Sequence, residues 1–454
     1  MPSFSTDLIS MLVVLGIMVL VHETGHFLVA KFFGVRVEVF SIGFGKRLVG
    51  FKRGDTDYRI SLLPLGGYVK MSGENPGEAT SGDPAEFTSK PRWQRILIGL
   101  AGPAANFLLA FVLITGLYMM HNEVFTYLSQ PAVLDGFIPP DSPAGRAGIQ
   151  GGDRIVRYDS DQNPTWEQVD IRTALDMNST IPVVLDRGGA QVSTTLSIQN
   201  PTQSQEFDAE TLGLLPKVQD EPLSVEELEH GMPAERAGLK AGDKILAVDG
   251  QRLHYVRSFL AYLQVKAGQP VSLTVLRAGQ TLSLTIQPAL ADDGTGHRGY
   301  RLGFQPGRPP FHVEQLPLAA AVKTSVKFNI RNSGYILEVL HKLFTRQTAV
   351  QNLSGPVGIA QQTGLAISMP GWQPIIDLMA LISLNLGIFN LLPVPILDGG
   401  MILLLLIEGT IRRDINQEVK ERIYQVAFVV LILFAVFVMF NDFSKLPIFS
   451  KLKP

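Results

Sequence analysis

The 454-residue chain contains no cysteine. That absence excludes disulfides, thiolate metal ligands and cysteine nucleophiles together, so any metal site must be assembled from His, Asp and Glu. Charge is scarce as well, Asp, Glu, Lys and Arg making up only 18% of the residues. Their formal balance of −2, without a Lys/Arg run, leaves no electrostatic footprint for nucleic acid, and no nucleic-acid partner is expected. What is abundant is apolar: 46% of the residues, with a mean hydropathy of +0.19. That is too high for an ordinary soluble enzyme of this length and points to a lipid bilayer as partner.

A helix crossing the hydrocarbon core needs about 20 mostly apolar residues. Four regions qualify, at residues 8–30, 96–120, 375–407 and 424–440. The third is interrupted by Pro393 and Pro395, which predicts a discontinuous helix with a non-helical elbow between Asn390 and Leu397. Within a membrane such an elbow survives only where protein or a water-filled cavity surrounds it. The first region lacks a basic stretch before it and a small-residue cleavage site after it, so it reads as a retained span rather than a signal peptide. Basic residues follow the first span (Lys31, Arg36, Lys46, Arg47, Lys52, Arg53) and separate the last two (Arg412, Arg413, Lys420, Arg422). Both loops are therefore expected on the cytoplasmic side. Both termini and the long segment from His121 to about Trp372 then fall on the other side, the periplasm of a bacterial inner membrane.

Inside that segment a pattern recurs. Ser142, Pro143, Ala144, Arg146, Ala147, Gly148, Gly152 and Asp153 return 90 residues later as Met232, Pro233, Ala234, Arg236, Ala237, Gly238, Gly242 and Asp243. Each copy reads as a short helix ended by Gly148 or Gly238, then a Gly-Asp turn feeding a strand. Strand-like runs follow at 181–185, 271–276 and 280–286. The pattern resembles PDZ domains, which bind peptides, often C-termini, by adding a strand to a sheet edge. The plainer reading of the Gly-Asp pairs is turn chemistry alone. Beyond the second copy, 307–310 reads as a linker. The apolar spacing of Ala319, Val322, Val326, Ile330, Leu337 and Leu340 predicts an amphipathic helix over 316–344, suited to a membrane surface or to a partner.

The chemistry sits in the spans. His22, Glu23 and His26 form an HExxH motif, whose imidazoles lie on one helical face and can share a zinc ion, with the glutamate beside them to take a proton from water. Three such groups in one span cost several kcal/mol on insertion, a burden that a purely structural helix avoids. Catalytic zinc sites usually have three protein ligands. Asp398, just beyond the proline elbow, is the candidate for the third, with Gly399 and Gly400 allowing close helix approach. The alternative for Asp398 is a helix N-cap. Intramembrane His, Glu and Asp also mark ion paths, so a metal or proton transporter is a rival reading; a silent scaffold whose outer domains collect partners is another.

HExxH in the first span, the Asn390, Pro393, Pro395, Asp398, Gly399 pattern in the third, and PDZ-like copies between resemble the site-two protease family of intramembrane metalloproteases. The resemblance implies that His22, His26 and Asp398 hold Zn2+ and that Glu23 activates water. Asn385 and Asn390 would contact the substrate backbone, while Gly43, Phe44 and Gly45, before the alternating run 58–63, would belong to a membrane-re-entrant β-hairpin. It also implies pre-trimmed single-span substrates, such as anti-sigma factors in envelope stress signalling, and leftover signal peptides. The fold class expected is a polytopic α-helical membrane protein of four spans, the third discontinuous, with the re-entrant hairpin and two tandem PDZ-like α+β domains. The expected map is a first span at 1–33, the β region at 34–92 and a second span at 93–121. The PDZ-like copies follow at 122–212 and 213–306, then linker and amphipathic helix at 307–372, the third span at 373–411 and the fourth with its tail at 412–454. A polar channel from the cytoplasmic side, partly lined by the basic segment after the first span, should bring water in.

Overall fold

A computed structural model describes residues 4–74, 81–120, 122–199, 207–292, 298–345, 355–369 and 371–444. The C-terminal tail from 445 onward, expected on the outer side, lies outside the described residues. In chain order come α1 (Phe4–Phe32), β1 (Val37–Arg53), β2 (Thr56–Met71), α2 (Arg92–Met119) and β3 (Asn122–Phe125). The first repeat copy contributes α3 (Pro143–Arg146), β4 (Arg154–Tyr158), β5 (Asp161–Gln162), α4 (Trp166–Leu175), β6 (Ser179–Arg187) and β7 (Ala190–Ile198). The second contributes β8 (Leu223–Leu228), α5 (Pro233–Arg236), β9 (Lys244–Val248), α6 (Val256–Lys266), β10 (Val271–Arg277), β11 (Gln280–Ile286), β12 (Ala289–Asp292), β13 (Arg298–Arg301) and β14 (Phe304–Pro306). Then follow β15 (Phe311–Glu314), α7 (Leu318–Phe344), α8 (Pro356–Ser368), α9 (Gln373–Asn390), α10 (Asp398–Ile411) and α11 (Gln417–Ser444). Two compact units result, one holding the long apolar helices and the other spanning Glu123–Glu314 and Lys342–Asn352.

Among the described residues of the helical unit, four helices are long and apolar enough to cross a membrane: α1, α2, α9 and α11. The α11 span shows the reason most directly, because Val426, Phe428, Leu433, Phe437 and Phe440 all stand exposed on it. Apart from its C-terminal end, where Val438 and Asp442 are buried and Asp442 accepts from the Gly355 N–H, the helix leaves its apolar side chains uncovered, and these need lipid around them. The third region is split as expected: α9 ends at Asn390, α10 begins at Asp398, and the elbow between them turns through hydrogen bonds from Val394 N–H to Leu392 C=O and from Leu397 N–H to Val394 C=O. Gly399 and Gly400 serve this elbow rather than a neighbouring helix. A Cβ on either would meet the carbonyls of Leu391 or Val394 at 2.2 and 2.1 Å. Helix α8, packed against α1, was not expected from the sequence.

β1 and β2 form an irregular antiparallel hairpin in which residues 39–42 pair on both sides, with 57–60 and with 67–70. Ser41 and Ser61 share a hydrogen bond of 2.9 Å across it.

In the other unit each copy has its own core, around Trp166, Ile181 and Leu196 in the first and around Phe259, Val271 and Leu273 in the second. The repeated Gly-Asp is more than turn chemistry. Asp153 accepts from the Gln150 N–H and pairs with Arg187 at 2.7 Å; Asp243 does the same with the Lys240 N–H and Arg277, also at 2.7 Å. Both carboxylates are buried, and each arginine also donates to the helix-ending carbonyl of Gly148 or Gly238, so one ion pair ties helix end, turn and β6 or β10 together. The expected boundary between residues 212 and 213 cuts the first copy. Leu214 is part of its core, and Leu215 C=O and Lys217 N–H bond to Asp135 and Val133, just as β14 pairs with β8 in the second copy.

Half-buried Asp170 on α4 receives the Ala209 N–H, yet burial pushes its carboxyl up to about 7, helped by Asp208 and Glu210. The folded chain thus keeps a proton that the unfolded chain, with a carboxyl near its ordinary value of about 4, has already lost. Stability should fall as pH rises from about 4 to 7 and then level off. Asp170→Asn is expected to match wild type in thermal melts at pH 4 and to exceed it at pH 8 by about 1–3 kcal/mol, allowing for partial solvent exposure. Equal melting at both pH values would show that the carboxyl stays ionised.

Candidate metal centre

Helix α1 carries His22 and His26 one turn apart, both buried. Their neighbour is α2, brought close because both helices are glycine at the crossing. A Cβ on Gly25 would lie 2.3 Å from the Ala101 carbonyl oxygen. One on Gly102 would lie 2.3 Å from His26 Nε2 and 2.8 Å from His22 Cε1. Gly99 of α2 similarly admits Met401 of α10, whereas Gly116 faces nothing within 4 Å.

The rings are oriented by the second helix. His26 Nδ1 lies 2.8 Å from the Ile98 carbonyl oxygen, which can only accept, so Nδ1 carries the hydrogen and Nε2 offers its lone pair. That Nε2 sits 3.2 Å from His22 Nε2. Asp398, first residue of α10, closes the triangle: Oδ2 is 3.1 Å from His22 Nε2 and Oδ1 is 3.4 Å from His26 Nε2. It is not a cap, since Leu397 holds that position and no side chain bonds there. A tetrahedral ion with ligand bonds of about 2.0–2.1 Å would space its ligand atoms about 3.3 Å apart, close to what is found. Asp398 Oδ2 is buried and makes no hydrogen bond beyond its approach to the His22 ring nitrogen, as expected of a carboxylate oxygen placed to bind a cation. The three residues fit a zinc site with a fourth position open, and they form a metal-capable His/Asp/Glu group among the described residues.

Glu23, on the same turn of α1, points toward the hairpin. Gly67 of β2 lies against its side chain and the Val69 N–H faces its carboxylate. Asn390, the last residue of α9, brings Nδ2 within 3.2 Å of His22 Nε2. Asn385 does not come with it. It is half-buried on α9, with no hydrogen bond to the histidines among the described residues. Gly43 and Gly45 both have positive φ, 89° and 87°, and Gly43 has the Leu63 carbonyl against it. Phe44 lies against Gly66 and stacks on Tyr68 at 5.9 Å, and Tyr68 in turn faces the same cavity as Glu23.

That cavity, about 670 Å³, opens from Glu23, His26 and Asp398. Its polar lining corrects the expectation that the basic segment after the first span supplies it. Glu74, Arg95, Glu408 and Lys420 line it instead. Glu408 is fully buried and bonds Lys420 at 2.5 Å and the Ile415 N–H at 3.0 Å. Burial pushes the Glu74 carboxyl up to about 7. Sequence reasoning also missed Asn106 of α2, whose Nδ2 is 3.1 Å from His22 Nδ1; a polar residue in an otherwise apolar span was the available signal.

Two histidines a turn apart, a facing carboxylate and a glutamate at the edge of a cavity, all carried by apolar helices, define a metalloprotease of the membrane-embedded class. A model of peptidase family M50 matches residues 10–434. The Protease RseP of Yersinia pestis is 35% identical over 472 residues, covering 98% of this chain and 100% of its own. The regulator of sigma-E protease RseP of Escherichia coli K12 is 35% identical over 462 residues, with coverage of 98% and 100%. A protein of Vibrio cholerae, provisionally named a zinc metalloprotease, is 33% identical over 465 residues, with coverage of 97% and 99%. The chain belongs to peptidase family M50, and it is a zinc metalloprotease.

Proposed function

We propose that the enzyme hydrolyses peptide bonds inside the transmembrane segments of single-span proteins whose outer domains have already been removed. The observation that carries this reading is the meeting of His22, His26 and Asp398 at 3.1–3.4 Å, beside Glu23, where His22, Glu23 and His26 sit on α1, a helix apolar enough to span a bilayer, and Asp398 opens the apolar helix α10. A hydrolytic centre placed there is of use only against chains that lie in the membrane too. Since two of the relatives named above are RseP proteases, one of them a regulator of sigma-E, membrane-anchored anti-sigma factors are the favoured substrates, with remnant signal peptides as a second class.

His22, His26 and Asp398 would hold the zinc ion, which when bound would supply Lewis acidity toward the scissile carbonyl and acidify water. Glu23 takes the proton of the attacking water and delivers it to the leaving amine. Asn390 offers an amide to backbone groups freed when a substrate helix unwinds, groups that a dry site would otherwise leave unpaired. Asn385 is kept for the same task further along the substrate. β1 and β2, with the Gly43, Phe44 and Gly45 segment, would dip into the membrane as a re-entrant hairpin and offer an edge to the extended substrate. The cavity lined by Arg95, Glu408 and Lys420 would carry water from the cytoplasmic side.

The two repeat copies act, in this reading, as tandem PDZ-like domains in the periplasm that exclude untrimmed substrates. The second is the better peptide site. β14 is an edge strand, and a groove of about 510 Å³ lies between it and α6, lined by Val256, Phe259, Leu260 and Phe304. The first copy has Asp170 where the second has Leu260.

Purified enzyme in detergent should cut a single-span reporter within its span when the reporter is truncated on the outer side, lose that activity to a chelator, and regain it with zinc. Failure to cut any of several truncated reporters despite bound zinc would return the transporter or scaffold readings to the front.

A further inference from the structure

For His22 to offer Nε2 to a metal, its hydrogen must sit on Nδ1, and that hydrogen needs an acceptor in this dry interior. His26 has one in the Ile98 carbonyl, 2.8 Å away. Around His22 Nδ1 stand two amides: Asn106 Nδ2 at 3.1 Å and Asn390 Nδ2 at 3.4 Å. Asn390 is half-buried at the end of α9 and reaches Nε2 more closely than Nδ1, at 3.2 Å, so it faces the metal side of the ring. Asn106 is fully buried in the middle of α2, and its main-chain carbonyl takes the Ser383 hydroxyl of α9 at 2.9 Å, which fixes the residue between two helices. Its Oδ1 is buried with no partner at all.

The two ends of an amide are nearly the same size, so a half-turn of the side chain exchanges Nδ2 and Oδ1 within the same packing. With Nδ2 toward the ring, the histidine must accept at Nδ1, and its hydrogen is forced onto Nε2, where it blocks the metal. With Oδ1 toward the ring, the orphaned oxygen gains a donor and Nε2 is freed. One amide hydrogen then faces the space Oδ1 held, so the two orientations leave similar numbers of unpaired groups, and the metal decides between them. We propose that Asn106 is the positioning residue for zinc at His22: its side-chain oxygen accepts the Nδ1 hydrogen and fixes the tautomer that presents Nε2. This rests on the zinc reading above.

The test compares Asn106→Asp, which can only accept, with Asn106→Leu, which can do neither, in the full chain purified in detergent. Zinc dissociation constants come from competition with a fluorescent chelator, and melts of the metal-free proteins report folding. Asn106→Asp is expected to bind zinc at least as tightly as wild type. Asn106→Leu is expected to bind it about 10–100-fold more weakly, with cleavage recovering as zinc is raised. A residue that serves only to pack, or that donates to the ring, gives the opposite for Asn106→Asp, a loss as large as that of leucine, and this overturns the proposal. So does wild-type zinc affinity in Asn106→Leu. If the leucine variant fails to fold, the aspartate variant decides alone. A wild-type protein with no zinc affinity would strike the metal reading itself, a different failure from an altered ranking of the variants.

Discussion

Glu23→Gln is expected to reduce cleavage of a truncated single-span reporter by about 10²–10⁴-fold while leaving zinc content unchanged. Glutamine keeps the size and one acceptor oxygen of the glutamate but cannot take up a proton. It is also not among the three groups that converge at 3.1–3.4 Å, so the metal triangle stays complete. The Val69 N–H that faces the carboxylate can still bond the amide oxygen, and Gly67, packed on the side chain, leaves no reason for the helix to move. Zinc measured by atomic absorption alongside the cleavage assay separates the outcomes. Loss of activity with zinc retained assigns Glu23 the proton. Loss of both would make Glu23 part of the metal's support, and retention of both would place the base elsewhere among the residues of the cavity.

Much of this site is visible in the sequence because it depends on local spacing. His26 follows His22 by four positions on one helix, so their sharing of a face needs no knowledge of the fold. Pro393 and Pro395 break a helix wherever they stand, and α9 and α10 do part there. Asp398 could be singled out because a carboxylate in a span needs a partner, although its distance to the histidines could not be read. The 90-residue repeat likewise announced two similar modules, whose turn aspartates prove to pair with Arg187 and Arg277, themselves 90 residues apart.

What stayed hidden depends on contacts between distant segments. Asn106 reads as one polar residue in an apolar run, and only the crossing of α1 and α2 puts it on His22. The first copy runs past residue 212 only because Leu214 joins its core and Leu215, Pro216 and Lys217 pair with residues 133–135, a long-range contact that leaves no local signal in the sequence. Helix α8 was missed for a related reason: Gly358 and Gly364 weaken its propensity, and it is held against α1 by packing. The basic residues nearest in sequence do not line the cavity; its walls come from the end of β2 with Glu74 and from the α2, α10 and α11 segments, which only the fold brings together.

The glycines of α2 convert that crossing into a graded test. Gly116→Ala meets nothing within 4 Å and replaces a poor helix former with the best, so it is expected to leave cleavage unchanged and to raise stability by up to about 1 kcal/mol. Gly99→Ala meets the Met401 methyl at 2.6 Å; that is the far end of a flexible side chain, which can swing away, and a loss of only a few-fold is expected. Gly102→Ala has no such outlet. Its Cβ would stand 2.3 Å from His26 Nε2 and 2.8 Å from His22 Cε1, while His26 is tied at its other nitrogen to the Ile98 carbonyl one turn away on the same helix. Either α2 backs off from α1, against the close contact at Gly25, or both imidazoles rotate off the metal. In both cases the ligand spacing of about 3.3 Å is lost. Zinc affinity should fall by at least about 100-fold and cleavage with it, because catalytic geometry tolerates displacements well under 1 Å. A Gly102→Ala enzyme that binds zinc and cuts at wild-type rates would mean that the two helices do not meet at this glycine, and the account of how the site is assembled would have to be abandoned.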